Sequence, residues 1–154
     1  MRATATNKFK FTLEAVDKYK KTVERLQRAE LKEAQAALRQ LYERDGELAR
    51  AFDDSRRARL AQMRGGATDA EALMRYDRFF TRVREERAHL AECIEQATEE
   101  VGRREARLLA TMRELKVYGK LRARQYAEYL SQLRAEDEKN VGDLVSFDVI
   151  SEGV

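Results

Sequence analysis

The stretch R-G-G-A-T-D, residues 64–69, divides this chain in two, because it is the one clear break in a sequence that is otherwise helical in pattern. Two adjacent glycines cost about 1 kcal/mol each inside a helix, so Gly65 and Gly66 mark a turn. Thr68 or Asp69 can cap a following helix, and Glu71 places a negative charge at its positive end. The stretch therefore predicts a helix on each side of a short turn.

After this turn, apolar residues recur with heptad spacing. Eleven of 14 core positions between residues 73 and 118 are apolar, which favours a coiled-coil seam. Position a is occupied by Leu73, Phe80, Arg87, Ile94, Val101, Leu108 and Leu115, and position d by Tyr76, Val83, Leu90, Ala97, Arg104, Thr111 and Tyr118. Gly102 and Gly119 weaken the pattern locally, but we expect the helix to continue through both.

The first half of the chain repeats less strictly. One apolar run consists of Val16, Tyr19, Val23 and Leu26, and another of Leu38, Leu41, Leu48 and Phe52. Glu30 and Ala34 lie where the two runs join, which is typical of a stutter in a coiled coil. A helix from about residue 13 to residue 63 is the expected result.

Two long helices joined by one short turn predict an all-α fold, namely an antiparallel coiled-coil hairpin. We expect a single domain of residues 1–140, with the turn at about residues 64–69, followed by a flexible tail of residues 141–154. In such a hairpin residue i faces roughly residue 133 − i, which places Phe9 near Arg124.

The composition agrees with helices that share a narrow apolar seam. Of the 154 residues, 43% are hydrophobic and 38% are charged, and there is no proline or tryptophan. The charges are mixed in sign: residues 1–64 carry 16 basic and 10 acidic groups, residues 65–120 carry 11 of each, and residues 121–154 carry 4 and 7. Such mixing is typical of solvated helix faces, so we expect no nucleic-acid partner.

Few residues of this chain are of the types that support catalysis or metal binding. Cys93 is the only cysteine and His89 the only histidine, which is too few for a zinc site. The pattern therefore predicts no enzyme, no metal and no cofactor. A single cysteine suits a reducing compartment, and the sequence has neither a secretory signal nor a membrane-spanning apolar run, so a cytoplasmic location is expected.

Two groups of apolar residues exceed what the seam needs. Beyond about residue 125, α-helical spacing continues in Tyr126, Tyr129, Leu130 and Leu133, although the first helix offers no partner there. This stripe favours an external partner, with self-association as the alternative. Extra large side chains also occur at Leu41-Tyr42 and Phe79-Phe80. Two interpretations of them stay open: a wide seam that buries them, or a second docking patch.

Three stretches resemble the FliJ family, whose members are small proteins of the bacterial flagellar export apparatus. They are the opening KFKFTLEAVDKYKKTVE, the aromatic RYDRFFTRV after the glycines, and the closing LRARQYAEYLSQLRAEDEKNVGDL. The resemblance covers nearly the whole chain. It implies a non-catalytic coiled-coil hairpin similar to the stalk subunit of rotary ATPases.

The resemblance also implies partners. The open end would enter the hexameric flagellar export ATPase, and a surface nearer the turn would bind the cytoplasmic domain of the export gate, which places the protein peripherally at the inner face of the cell membrane. Export chaperones would be further partners. By position, the ATPase-binding residues would be Phe9, Phe11, Leu13, Val16, Tyr126, Tyr129, Leu130 and Leu133, and the gate-binding residues Leu41, Leu48, Phe79 and Val83. The equivalent stalk of a type III secretion injectisome and a self-associating coiled-coil scaffold are the alternatives.

Overall fold

The computed structural model describes residues 8–66 and 69–153, which form two long helices. Helix α1 spans Glu14–Arg64 and helix α2 spans Ala70–Glu152, and no strand occurs in the described ranges. Side chains of α1 meet those of α2 in reverse order: Arg59 pairs with Asp77 near the turn, and Asp45 pairs with Arg87 farther along. The predicted all-α antiparallel hairpin is therefore confirmed.

The glycines end α1 and an aspartate begins α2. Gly66 has a φ of 74°, a left-handed conformation that favours glycine, and its N–H donates to the carbonyl of Met63 at 3.4 Å. The Oδ1 atom of Asp69 accepts a hydrogen bond of 3.1 Å from the N–H of Glu71. Of the two candidate caps, Asp69 thus acts as one, and Thr68 lies outside the described residues.

The chain divides into two compact units. The turn unit is Arg25–Leu108, and the terminal unit combines Met1–Glu24 with Leu109–Val154. In the turn unit, a core forms where the heptad predicts the seam. Its buried members are Leu48, Val83 and Leu90, with Leu41, Phe52 and Phe79 packed against them.

The terminal unit has a smaller apolar interior and includes buried polar groups. Phe11 is 5% exposed, and the polar side chains of Thr111 and Asp17 are also buried. Asp17 is paired with the ammonium group of Lys21 at 2.8 Å, which satisfies its charge within one helical turn. Polar groups in a seam lower its stability but help to fix its register.

Helix α2 extends farther than the sequence pattern indicated. It passes through Gly102 and Gly119, as expected, and it also continues through Gly142 to Glu152. One glycine costs about 1 kcal/mol, and without a proline or a capping turn this is too little to end a helix. Residues 141–152 are thus helical with exposed side chains, and the flexibility of this tail stays a prediction.

Within the described residues, neither helix contains a segment long and apolar enough to span a membrane.

Candidate functional site

An aromatic cluster joins the N-terminal lead-in to α2 within the terminal unit. The ring of Phe9 lies 5.1 Å from that of Tyr126, edge to face, and 5.5 Å from that of Tyr129. The two tyrosines stack on each other at 6.3 Å. Centroid distances of this size are favourable for aromatic pairs. The first described residues therefore cover part of the stripe that was expected to lack a partner inside the chain.

Polar contacts hold this lead-in in place. The N–H of Thr12 donates to Oε1 of Gln125 at 3.3 Å, and Nε2 of Gln125 donates to Oγ1 of Thr12 at 3.0 Å. Farther along α1, the ammonium group of Lys20 lies 2.6 Å from Glu114. The hydrogen bond to Glu114 raises the pKa of Lys20, so its ammonium group stays charged at neutral pH.

The side chains assigned to ATPase binding differ in exposure. Phe11 is buried at 5%, so its side chain offers a partner little area. Val16 and Tyr126 are exposed at 40% and 47%. The remaining five are half-buried: Phe9, Leu13, Tyr129, Leu130 and Leu133. Their contact with an ATPase stays a prediction.

Six strongly exposed apolar side chains of the terminal unit lie in residues 141–150, which we call the C-terminal apolar segment. They are between 57% and 70% exposed: Val141, Leu144, Val145, Phe147, Val149 and Ile150. Because successive helical residues turn by about 100°, these side chains lie on every face of α2. Asp143 and Asp148 make the segment acidic. Sequence patterning alone did not identify it as a helix.

The residues assigned to gate binding form a core more than a surface. Leu48 and Val83 are buried at 7% and 3%, while Leu41 and Phe79 are partly buried against them. Buried side chains offer a partner little area. Leu48 and Val83 therefore support the neighbouring surface residues and have little surface of their own to contact a partner. Two alternatives were open for the extra large residues, a wide seam and a second docking patch. Wide seam packing accounts for Leu41 and Phe79, since both pack against the core. Binding of the gate by any of the four stays a prediction.

An open groove of about 360 Å³ lies beside Phe79 in the turn unit. Its lining combines the aromatic rings of Tyr76 and Phe79 with polar and small groups. The full lining is Ser55, Gln62, Ala72, Arg75, Tyr76 and Phe79. Partly exposed aromatic rings with an arginine at the edge are common in surfaces that bind other proteins.

Two ion pairs connect the helices beside the core of the turn unit. Arg87 donates to both carboxylate oxygens of Asp45, at 2.8 and 3.2 Å, and Arg44 donates twice to Oε1 of Glu86, at 3.0 and 2.7 Å. The hydrogen bond from Arg87 lowers the pKa of Asp45. Arg87 occupies a heptad a position, so its contribution to the seam is electrostatic, although the pattern expects an apolar residue there.

A second arginine in the seam bonds to the first helix at its irregular join. Nη1 of Arg104 donates to the main-chain carbonyl of Glu30 at 2.6 Å, and its Nε donates to Glu100 at 2.7 Å. Hydrogen bonds from Arg104, then Arg103, lower the pKa of Glu100. Small residues, Ala34 among them, line the adjacent groove. The sequence shows that a polar residue occupies the core position 104, but only the structure reveals the main-chain carbonyl that accepts its hydrogen bond.

Cys93 and His89 are neighbours, with Sγ 3.6 Å from Nε2. Among the residues described, no group of three or more His, Cys, Asp or Glu side chains is placed to hold a metal ion.

Comparison with known protein families gives a match over nearly the whole chain. The family described as the flagellar FliJ protein matches residues 9–153, from the aromatic lead-in through the C-terminal apolar segment. The chain belongs to the FliJ family. No curated protein and no solved structure matches it. FliJ proteins are non-enzymatic components of the flagellar export apparatus, so the match agrees with the predicted flagellar assignment and gives no support to the injectisome alternative.

Proposed function

We propose that this FliJ protein is a stalk that binds the hexameric flagellar export ATPase through its terminal unit and the cytoplasmic domain of the export gate through its turn unit. Export chaperones are further proposed partners, without assigned residues. The gate contact would hold this otherwise cytoplasmic protein at the inner face of the cell membrane. The observation that carries the proposal is the exposed C-terminal apolar segment.

This segment needs an enclosing partner for a geometric reason. A helix with apolar side chains on one face can dock in a groove, but a helix that is apolar all round is normally buried on all sides. Six large apolar side chains, each more than half exposed, are also costly in water, at roughly 25 cal/mol per Å². The inside of a protein ring would cover every face at once. The acidic residues of the segment favour a basic lining in that ring.

Binding of the ATPase tests this proposal. Substituting Leu144→Ser, Phe147→Ser and Ile150→Ser removes apolar contacts without changing any residue of the aromatic cluster. Because hot-spot side chains each contribute more than about 1 kcal/mol, we expect the Kd for the purified ATPase to rise at least about tenfold. Calorimetry or a pull-down measures this.

A matched control lies in the turn unit. Leu60→Ser, Met63→Ser and Met74→Ser change three exposed apolar side chains, at 48%, 47% and 59%, and should leave the ATPase affinity unchanged. Equal binding by both triple variants would contradict the role of the terminal unit. If light scattering instead shows a mass that rises with concentration, and the segment variant abolishes this rise, a self-associating scaffold is the better description.

A further inference from the structure

Three arginines of the turn unit form a line that has no acidic partner among the described residues. Arg75, Arg78 and Arg82 are spaced at i, i+3 and i+7, so they lie on one face of α2 and extend over about 10 Å. All three are exposed. None of them forms an ion pair or a hydrogen bond with another described residue. We call this line the arginine row.

Most other arginines of the turn unit are paired, and the row is distinct because its three arginines, without a carboxylate partner in the described ranges, follow one another on one face of α2. Arg44, Arg59 and Arg87 each bond to a carboxylate of the opposite helix. Acidic residues also flank the row on its own helix, at Glu71 and Glu85, but neither pairs with it in the part of the chain that the structure describes. Exposed guanidinium groups therefore remain available to a carboxylate from outside.

The row continues into the groove beside Phe79. Arg75 lines that groove together with the rings of Tyr76 and Phe79. Apolar surface and a cationic edge thus lie side by side on α2, over a length that suits a short peptide segment. A guanidinium group binds carboxylates with two parallel hydrogen bonds, and the rings can hold an adjacent apolar side chain.

We infer that the arginine row and this groove together bind an acidic segment of a partner protein that also carries an apolar side chain. Carboxylates of the segment pair with Arg75, Arg78 and Arg82, and the apolar side chain lies over Tyr76 and Phe79. The inference rests on the proposed function, in which the partner at the turn unit is the cytoplasmic domain of the export gate. It adds the chemistry by which that partner is recognised.

The apolar surface beside the row is small, which argues against a lipid surface as the occupant. Membrane binding by a cationic helix needs a large apolar face on the same side as its charges. Met74 is 59% exposed and lies about 40° from Arg78 around α2, whereas Tyr76 and Phe79 are half-buried. One exposed apolar side chain on this face of α2 is too little to insert into a bilayer.

Gate binding by the full-length protein tests the inference. The variant Arg75→Gln, Arg78→Gln and Arg82→Gln removes the charges while keeping good helix formers, so circular dichroism should be unchanged. The control variant Arg50→Gln, Arg56→Gln and Arg57→Gln has the same net charge and changes exposed residues of α1 in the same unit. Titration calorimetry with the purified cytoplasmic domain of the gate is run at about 50 and 300 mM salt.

We expect the Kd of the row variant to rise about tenfold or more at low salt, and that of the control by less than about threefold. Salt should weaken binding by the unchanged protein more than binding by the row variant. Hydrogen exchange should show protection of a gate segment rich in aspartate and glutamate.

Several results would overturn the inference. If the gate binds the unchanged protein and the row variant equally, or if the protected gate segment is not acidic, the inference fails while the proposed function stands. If the gate does not bind the unchanged protein, the proposed gate contact fails as well. Binding of anionic vesicles, RNA or a peptide of residues 141–154 that depends on the row, with gate binding independent of it, would assign the row to that occupant instead.

Discussion

Two glycines of this chain have opposite structural roles, which single substitutions can separate. Gly102 lies inside α2, and a Cβ atom there would meet nothing within 4 Å, whereas Gly66 has a φ of 74°. Gly102→Ala should raise the free energy of unfolding by about 0.5–1 kcal/mol, because alanine loses less conformational entropy in a helix. Gly66→Ala should lower it by about 1–2 kcal/mol, because a left-handed conformation strains a side chain.

Urea unfolding followed by circular dichroism measures both changes. A destabilised Gly102→Ala protein would mean that a side chain at position 102 meets a neighbour in solution. A neutral Gly66→Ala protein would mean that the turn can adopt a conformation without a positive φ.

The pair of Asp45 and Arg87 predicts a pH dependence of stability. The hydrogen bond from Arg87 lowers the pKa of Asp45 below its ordinary value of 3.8, so the folded state favours the charged carboxylate. The stabilisation is therefore present above about pH 4 and is lost as the pH falls through the lowered pKa. Asp45→Asn removes it at all pH values.

Thermal melting of both proteins between about pH 7 and pH 2 tests this. The Tm of the unchanged protein should exceed that of Asp45→Asn at neutral pH, and the difference should disappear at the acid end. The difference should be small and sensitive to salt, because the pair is partly exposed. A constant difference over the whole range would show that the substitution disturbs packing and that charge is not the cause.

At the scale of elements, the ring of Phe9 contributes to the packing of the N-terminal lead-in against α2. Phe9 contacts two tyrosines of α2, whereas Phe147, in the same unit, is 70% exposed. Phe9→Ala should lower the free energy of unfolding by about 1 kcal/mol or more, since each aromatic pair contributes about 0.5–1.5 kcal/mol. Phe147→Ala should change it by only a few tenths. Urea unfolding compares the two, and equal losses would show that the lead-in is not docked.

The heptad pattern predicts the long elements well because burial in a seam is periodic. Val83 and Leu90 occupy d positions and are buried, and Phe80 at an a position is 5% exposed. The same pattern cannot give the end of α2, because the C-terminal apolar segment has no single face. It also treats Arg87 and Arg104 as interruptions, although both are bonded across the seam.

At the scale of the whole molecule, sequence resemblance predicts the family, and the family match confirms it. The residues of the candidate binding surfaces are predicted less well, because a residue's position on a helical wheel does not determine the exposure of its side chain. Leu48 and Val83 were assigned to a binding surface but are buried. The arginine row is visible in the sequence as a spacing, yet its lack of acidic partners among the described residues depends on where every neighbouring carboxylate lies.

The reverse pairing of α1 and α2 restricts how the length of this chain can change during evolution. Deleting one residue between Leu48 and Arg59 of α1 would turn the preceding residues of the turn unit by about 100° relative to those that follow. Asp45 and Leu48 would then leave their partners on α2. Insertions and deletions in the turn unit are thus tolerable at the turn itself, or as matched changes of about seven residues in both helices.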